Sequence, residues 1–391
     1  MSSRLYADNA ATSFPKPPEV FKAMRVYAET LGASAGRGAY REALATGEIL
    51  DECRRRLADW IGAEEPARIV FTMNCSGALN LAVKGWLRSG DHVVTTTMEH
   101  NSVLRPLHAL ADTASVEADF VEADHRTGLV DPDDLFRAVR RNTRLIAVVH
   151  GSNVTGSLQP IAQIGREARR RDIPLLVDAA QTAGHMPIDV RAMCVDFLAV
   201  PGHKGLMGPL GTGALYIRPG FEARLRPLME GGTGSVSERP VQPEFMPDKF
   251  EPGSHNAIGL AGLSAALGWL ASEGAEALRA HDLALSARFL DRVADAPGLR
   301  VYGPDNPHDR VAVFSVGIEG MSSADLAASL EREFGILTRP GLHCAPFAHR
   351  TIRTDRSGGT TRLSFGAYNT LDDVDRCAGA LAKLASACAP A

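Results

Sequence analysis

The chain predicts an α/β protein with a mostly parallel sheet, and three observations carry that reading. Between about residue 65 and residue 220, short β-branched runs alternate with helical patterns, the arrangement of parallel strands joined by crossover helices. The runs read as buried strands rather than half-exposed ones. At 391 residues, with 45% hydrophobic and 23% charged residues, the chain is a globular sequence able to bury a large core without staples.

Taken in order, the buried runs fall at 68–72, 92–96, 145–150, 173–178 and 197–200. Between the third and fourth, Ile161, Ile164 and Ala168 recur at helical spacing, and Pro160 suits a first helical turn. Residues 231–256 then show neither helical nor strand period; unstructured runs longer than roughly 12–15 residues are uncommon unless they serve a site. Helical patterns follow at 257–271 and 275–294, a strand at 311–316, a helix at 323–334, strands at 336–339 and 361–365, and a last helix from Leu371. These later elements predict a smaller α+β domain. We place a large α/β domain at 16–271 and the small one at 1–15 with 272–391. A second irregular stretch, 340–360, holds one Cys, two His and three Arg.

Several function classes are excluded early. A net charge of −4 with scattered basic residues gives no electrostatic footprint for nucleic acid or a membrane surface. The run Arg169-Arg170-Arg171 ends a helix, where cations favour the dipole. Six cysteines, at 53, 75, 194, 344, 377 and 388, form no C-x-x-C pair, which argues against a disulfide framework and a structural zinc site. The N-terminal residues lack a signal-peptide core, and no stretch is apolar enough to span a bilayer. The expectation is a reduced, cytoplasmic protein.

Ligands of open α/β sheets bind outside the carboxyl ends of the strands. The first run is followed by Asn74-Cys75-Ser76-Gly77, a turn whose helix start suits a phosphate. The second is followed by Glu99-His100-Asn101, the third by Ser152-Asn153, the fourth by Asp178 and Gln181, and the fifth by His203-Lys204. Singly, Lys204 is a loop lysine, Asp178 a helix cap, and Cys75 and Cys194 small buried hydrophobes. At successive strand ends they share one crevice. Pyridoxal phosphate needs such a set: a lysine for a Schiff base, an anion for the pyridinium nitrogen, and amides for the phosphate. A nicotinamide site fails, because no G-x-G-x-x-G follows the first strand.

Seven motifs, in order, carry a family resemblance: D-N-A-A-T (8–12), E-H-N-S-V-L-R-P (99–106), S-N-V-T-G (152–156), D-A-A-Q (178–181), G-H-K-G (202–205), R-P-G-L-H-C-A-P (339–346) and R-L-S-F-G-A-Y-N-T (362–370). Together they resemble the class V aminotransferases, closest to the cysteine desulfurase and selenocysteine lyase branch. The resemblance implies the fold-type I architecture, with a mainly parallel seven-stranded sheet between helices and a smaller C-terminal domain, as a homodimer with a shared active site.

It also implies roles. Lys204 resembles the Schiff-base lysine, Asp178 the partner of the pyridine nitrogen, and His100 the histidine stacked on the ring. Gln181 and Asn153 would bind the ring oxygen or the substrate. Ser76 and His203, with the amides of Cys75 and Ser76, resemble phosphate ligands. Ser254 would reach across from the second subunit. Arg362 resembles the arginine that clamps the substrate carboxylate, with Ala10 beside the substrate. Pro201 departs from the pattern, replacing a hydroxyl-bearing phosphate ligand.

Cys344 distinguishes the reactions. A desulfurase needs a mobile thiolate that takes the substrate's sulfur as a persulfide. His343 and Arg339 are groups that favour thiolate, and Ser357-Gly358-Gly359 gives the loop a segment to swing on. The expectation is conversion of L-cysteine to L-alanine, with sulfur passing from Cys344 to an acceptor protein or reductant. Selenocysteine lyase, another C–S lyase or an aminotransferase would share Lys204 and Arg362; a sulfur-carrier scaffold would keep the fold without turnover.

Overall fold

The computed structural model describes residues 4–36 and 38–388. Its large sheet has seven strands: β1 (Ile69–Thr72), β2 (His92–Thr96), β3 (Glu117–Val121), β4 (Thr143–Val149), β5 (Leu175–Asp178), β6 (Phe197–Pro201) and β7 (Gly213–Ile217), in the order β1-β7-β6-β5-β4-β2-β3. Only β7 runs against the others. The carboxyl ends of the remaining six therefore lie along one edge, as the sequence requires.

Successive side chains of a strand point to opposite faces, and both faces here are covered. Val70, Val93, Leu145, Leu176 and Phe197 pack with Ala78, Leu79 and Ala82 of the helix Cys75–Trp86 and with Val103 and Leu107 of the helix Asn101–Ala114. Ile69, Val94, Ile146, Leu175 and Leu198 join a second cluster with the helices Arg41–Trp60, Ile161–Arg170 and Ala257–Glu273. This two-sided burial is why the runs are apolar without alternation.

Two strands of this sheet lie outside the sequence reading. β3 is the sheet's edge and carries Glu117 and Asp119, so it lacks an apolar run. β7 is masked by the glycine-rich stretch before it. Gly213 is required there: a Cβ would lie 2.6 Å from the carbonyl carbon of Asn74, so the bare backbone lets the turn before Cys75 close over the sheet.

The second sheet holds β8 (Leu299–Tyr302), β9 (Val313–Ile318), β10 (Arg339–Gly341) and β11 (Thr360–Ser364), antiparallel in the order β10-β11-β9-β8. The helices Ala275–Val293, Ser323–Phe334 and Leu371–Cys388 cover it around Phe289, Phe314 and Phe365. The N-terminal segment joins this side, Leu5–Tyr6 pairing in parallel with Ile336–Leu337. The stretch 340–360 is not irregular throughout, because Pro346–Thr351 forms a helix with Pro at its first turn. Among the described residues no helix is long and apolar enough to cross a membrane.

Candidate active site

The strand ends converge on one open cavity, lined by Cys75, Ser76, His100, Asn153, Asp178, Gln181, Pro201, His203 and Lys204 among others. Eight of the twelve residues expected at the site thus line one space; Ala10, Ser254, Cys344 and Arg362 do not. Ser254 is exposed, its hydroxyl 3.4 Å from that of Ser34, and lies outside this cavity. Ala10 and Arg362 are buried beside the site, not in its lining.

Asp178 is 3% exposed at the end of β5. Its Oδ1 accepts from the Ala180 amide at 2.9 Å and from the Cys75 thiol at 3.6 Å. Burial raises its pKa, against the lowering effect of the Ala180 amide and nearby Lys204. Cys75 is therefore more than the small hydrophobe its sequence suggests: its thiol, held well above the usual range by burial and by Asp178, serves as a hydrogen-bond donor. Lys204 is lowered by burial, with Asp178 opposing. Among the described residues its Nζ has no hydrogen-bond or ion-pair partner.

His100 caps the helix Asn101–Ala114: its Nδ1 accepts from the Ser102 amide at 3.0 Å. A backbone N–H only donates, so Nδ1 is the acceptor and the neutral ring carries its proton on Nε2. Burial, with Lys204, Arg339 and Arg362 nearby, brings its pKa down to about 4. Ser102, whose side chain the sequence reading gave no role, links His100 Nδ1 at 2.9 Å to the Ser76 hydroxyl at 2.7 Å. Asn74 caps the helix Cys75–Trp86 through the Gly77 amide, leaving the amides of Cys75 and Ser76 without a backbone acceptor among the described residues. Gln181 Nε2 donates to Ala10 O at 3.1 Å, tying the N-terminal segment to the cavity wall.

Arg362 lies on β11 directly opposite Arg339 on β10. Its Nη2 donates to Asp8 Oδ1 at 2.7 Å and its Nη1 to the Asn153 carbonyl at 3.2 Å, while Nε is buried without a partner. The Asn153 loop is fixed from the small-sheet side: Arg310 Nη2 donates to Thr155 O, Ser315 Oγ to Val154 O, and the Val311 amide to Gly156 O. A Cβ on Gly156 would lie 2.5 Å from Val313 O, which explains that motif's glycine.

Cys344 is exposed, and its segment is docked rather than free. The Asn101 amide donates to Cys344 O at 2.7 Å and Asn153 Nδ2 to His343 O at 2.6 Å. Both His343 and Cys344 hold positive φ, 50° and 59°, an uncommon conformation for residues with side chains. Arg339 Nη2 is 3.6 Å from Sγ. His343 does not supply the charge its position suggests, since burial and Arg362 drive its pKa far down and both ring nitrogens lack partners. Gly359 is also more than a swivel: a Cβ would lie 2.2 Å from Gly341 O, so it permits close packing against β10.

The family model for class-V aminotransferases matches residues 5–377. The chain belongs to the class-V aminotransferase family. This is a family of pyridoxal-phosphate enzymes. Among relatives in it, a protein named probable cysteine desulfurase from Methanothermobacter thermautotrophicus is 37% identical, over 98% of this chain and 96% of that one. The apo structure of a cysteine desulfurase from Thermococcus onnurineus NA1 superposes with a TM-score of 0.91 at 34% identity, covering 98% of this chain and 95% of that one. An Escherichia coli cysteine desulfurase in an S-sulfonic acid form gives 0.85 at 28% identity, covering 98% and 95%. The class-V fold expected from the sequence, a large mostly parallel sheet with a smaller domain, is the one observed.

Proposed function

We propose that this chain is a pyridoxal-phosphate-dependent cysteine desulfurase, converting L-cysteine to L-alanine and carrying the sulfur away on Cys344. The observation that carries the proposal is the docking of the Cys344 segment: its backbone bonds to Asn101, the residue after the cavity-lining His100, and to Asn153, which itself lines the cavity. An aminotransferase has no use for an exposed thiol held there.

The donor set supports the cofactor. Lys204 offers an unpaired amine, Asp178 a buried carboxyl group, and the helix Cys75–Trp86 two free amides at its positive end. His203 Nδ1 and Asn153 Oδ1 are buried without partners beside the same space. Ser76 and His203 would hold the phosphate, Asp178 the ring nitrogen, and Gln181 and Asn153 the ring oxygen or substrate. When bound, pyridoxal phosphate takes up the electron pair released at the substrate Cα.

The protein's own groups supply the rest. Arg362, backed by Arg339, holds the substrate carboxylate near Ala10. Lys204, its basicity lowered by burial, moves the Cα proton. His100, neutral with its proton on Nε2, donates from the ring nitrogen that its capping role leaves free. The Cys344 sulfur bonds to the substrate sulfur as the Cβ–S bond breaks. The bonding pair stays with carbon, which takes a proton to become the methyl group of alanine, and Cys344 is left as a persulfide.

A second copy would complete the site. Met73, in the turn between β1 and Cys75, and Leu210, in the loop between Lys204 and β7, are 75% and 68% exposed. Such apolar side chains at the rim call for a cover, and a partner subunit would bring Ser254 to the phosphate. A reductant or sulfur-acceptor protein would then discharge Cys344. We keep the division into 16–271 and 1–15 with 272–391 as the two domains.

The test is purified holoenzyme with L-cysteine and a thiol reductant, with alanine and sulfide followed together. Equal amounts from the wild type, lost in Cys344→Ala, are expected. Pyruvate with sulfide, indifferent to that substitution, contradicts the proposal.

A further inference from the structure

The segment Thr12–Lys16 makes an unusual set of contacts with the backbone beneath Lys204. The His203 carbonyl accepts from the Ser13 amide at 3.1 Å, the Thr12 hydroxyl at 3.0 Å and Lys16 Nζ at 2.7 Å. Lys16 Nζ also donates to Ser13 Oγ at 2.7 Å, and that hydroxyl donates to Lys204 O at 2.8 Å, with His203 O at 3.2 Å as the second acceptor in reach. Both carbonyls flanking the Lys204 Cα are thereby held from one short segment nearly 190 residues away in sequence.

Lys16 is costly for a purely structural part. It is partly buried, burial lowers its pKa to about 8, and among the described residues no carboxylate pairs with it. An unpaired cation loses solvation without Coulombic return, so a neutral side chain would stabilise this corner better. Its two hydrogen bonds go to the His203 carbonyl and to Ser13, the serine that bonds the Lys204 carbonyl.

The residues around Lys204 explain why such a clamp is needed. Its chain neighbours include Gly202 and Gly205, which have no side chains to anchor the turn. They are glycine because a Cβ would meet Thr212 Oγ1 at 2.1 Å and Ala183 O at 2.3 Å, respectively. A long flexible lysine stem reaches a reacting carbon reliably only from a fixed base, because misplacement by about 1 Å slows such a step roughly a hundredfold.

We infer that Lys16 is a positioning residue for Lys204: through Ser13 and the His203 carbonyl it fixes the peptide from which the Lys204 amine meets an aldehyde cofactor. The inference rests on the reading of Lys204 as the lysine that captures that cofactor.

The test uses the apoprotein and two probes. Pyridoxal phosphate, an aldehyde, must be met by the Lys204 amine. Pyridoxine phosphate, the corresponding alcohol, fills the same cavity without reacting. In Lys16→Met the rate of aldehyde capture should fall about tenfold while the alcohol's affinity stays within about twofold; Lys16→Arg should recover most of the rate, and Ser13→Ala should lose part of it. Unchanged capture in Lys16→Met and Ser13→Ala overturns the inference. So does a parallel fall in capture and alcohol affinity, which marks a merely structural role. A wild type that captures the aldehyde but makes no alanine from cysteine contradicts the desulfurase proposal and leaves this one standing.

Discussion

Asp8 Oδ1 accepts from Arg362 Nη2 at 2.7 Å, joining the N-terminal segment to a guanidinium only 1% exposed. The pair opposes the burial that lowers the pKa of Arg362, and it leaves the guanidinium oriented against the Asn153 carbonyl. The same N-terminal segment reaches Lys204 at its other end. Asp8 thus holds the Arg362 side chain and Lys16 the backbone beside Lys204, the two residues to which the proposed reaction assigns the substrate carboxylate and the Cα proton.

Asp8→Ala is expected to lower stability by about 3 kcal/mol, because the remaining charge is buried without its partner. It should also raise KM for cysteine more than it lowers kcat, since the carboxylate clamp is what it disorients. Urea unfolding and steady-state kinetics check both; a stability change below about 0.5 kcal/mol would mean the pair does no more than a surface bridge.

Glu99 is wholly buried, with Oε1 accepting from the Thr96 hydroxyl at 2.7 Å and the Val149 amide at 3.0 Å and Oε2 unpartnered. Burial raises its pKa from 4.5 to about 8. Because the folded protein binds this proton more tightly than the unfolded chain, the associated stability is full below the unfolded value and is lost as pH rises toward about 8. Glu99→Gln, with no proton to lose, should flatten that decline. Denaturation midpoints at several pH values from 5 to 8 read the slope; parallel curves for the two proteins count against the assignment.

His100 behaves in the opposite sense. Its pKa is held near 4, below the ordinary 6.5, so the stability it contributes is present above 6.5 and lost as pH falls toward 4. His100→Asn keeps a capping side chain and should show less acid destabilisation in that window. It should also lose about a hundredfold in kcat if the ring transfers a proton. A variant with wild-type turnover removes His100 from the chemistry.

Thiol labelling should be selective. Cys344 is exposed, whereas Cys53, Cys75 and Cys377 are buried and their pKa values are raised by burial. Brief iodoacetamide treatment followed by peptide mass spectrometry is expected to find Cys344 alkylated ahead of those three, with sulfide release abolished and cofactor capture by the apoprotein retained. Equal alkylation of Cys75 would contradict the burial described.

Much of this was legible in the sequence because parallel strands covered on both faces must be apolar throughout, and because strand ends gather ligand groups. His100, Asp178 and Lys204 follow from those two rules. β3 was hidden by its place at the sheet edge, where a polar face is tolerated, and the helix Pro346–Thr351 by the polar stretch around it. The contacts of Asp8, Ser13 and Lys16 with Arg362, Lys204 and His203 could not be read, since those partners lie 187 or more residues away and no local pattern announces such pairing. The capping role of His100 was also concealed, because histidine is not among the favoured caps.

The most direct test of the account is a single turnover without reductant. Holoenzyme is mixed with one equivalent of L-cysteine, quenched and digested, and the Cys344 peptide is weighed. The account predicts a gain of about 32 Da, one sulfur atom, on Cys344, with one equivalent of alanine released. Alanine or pyruvate formed with the Cys344 peptide at its original mass would contradict it.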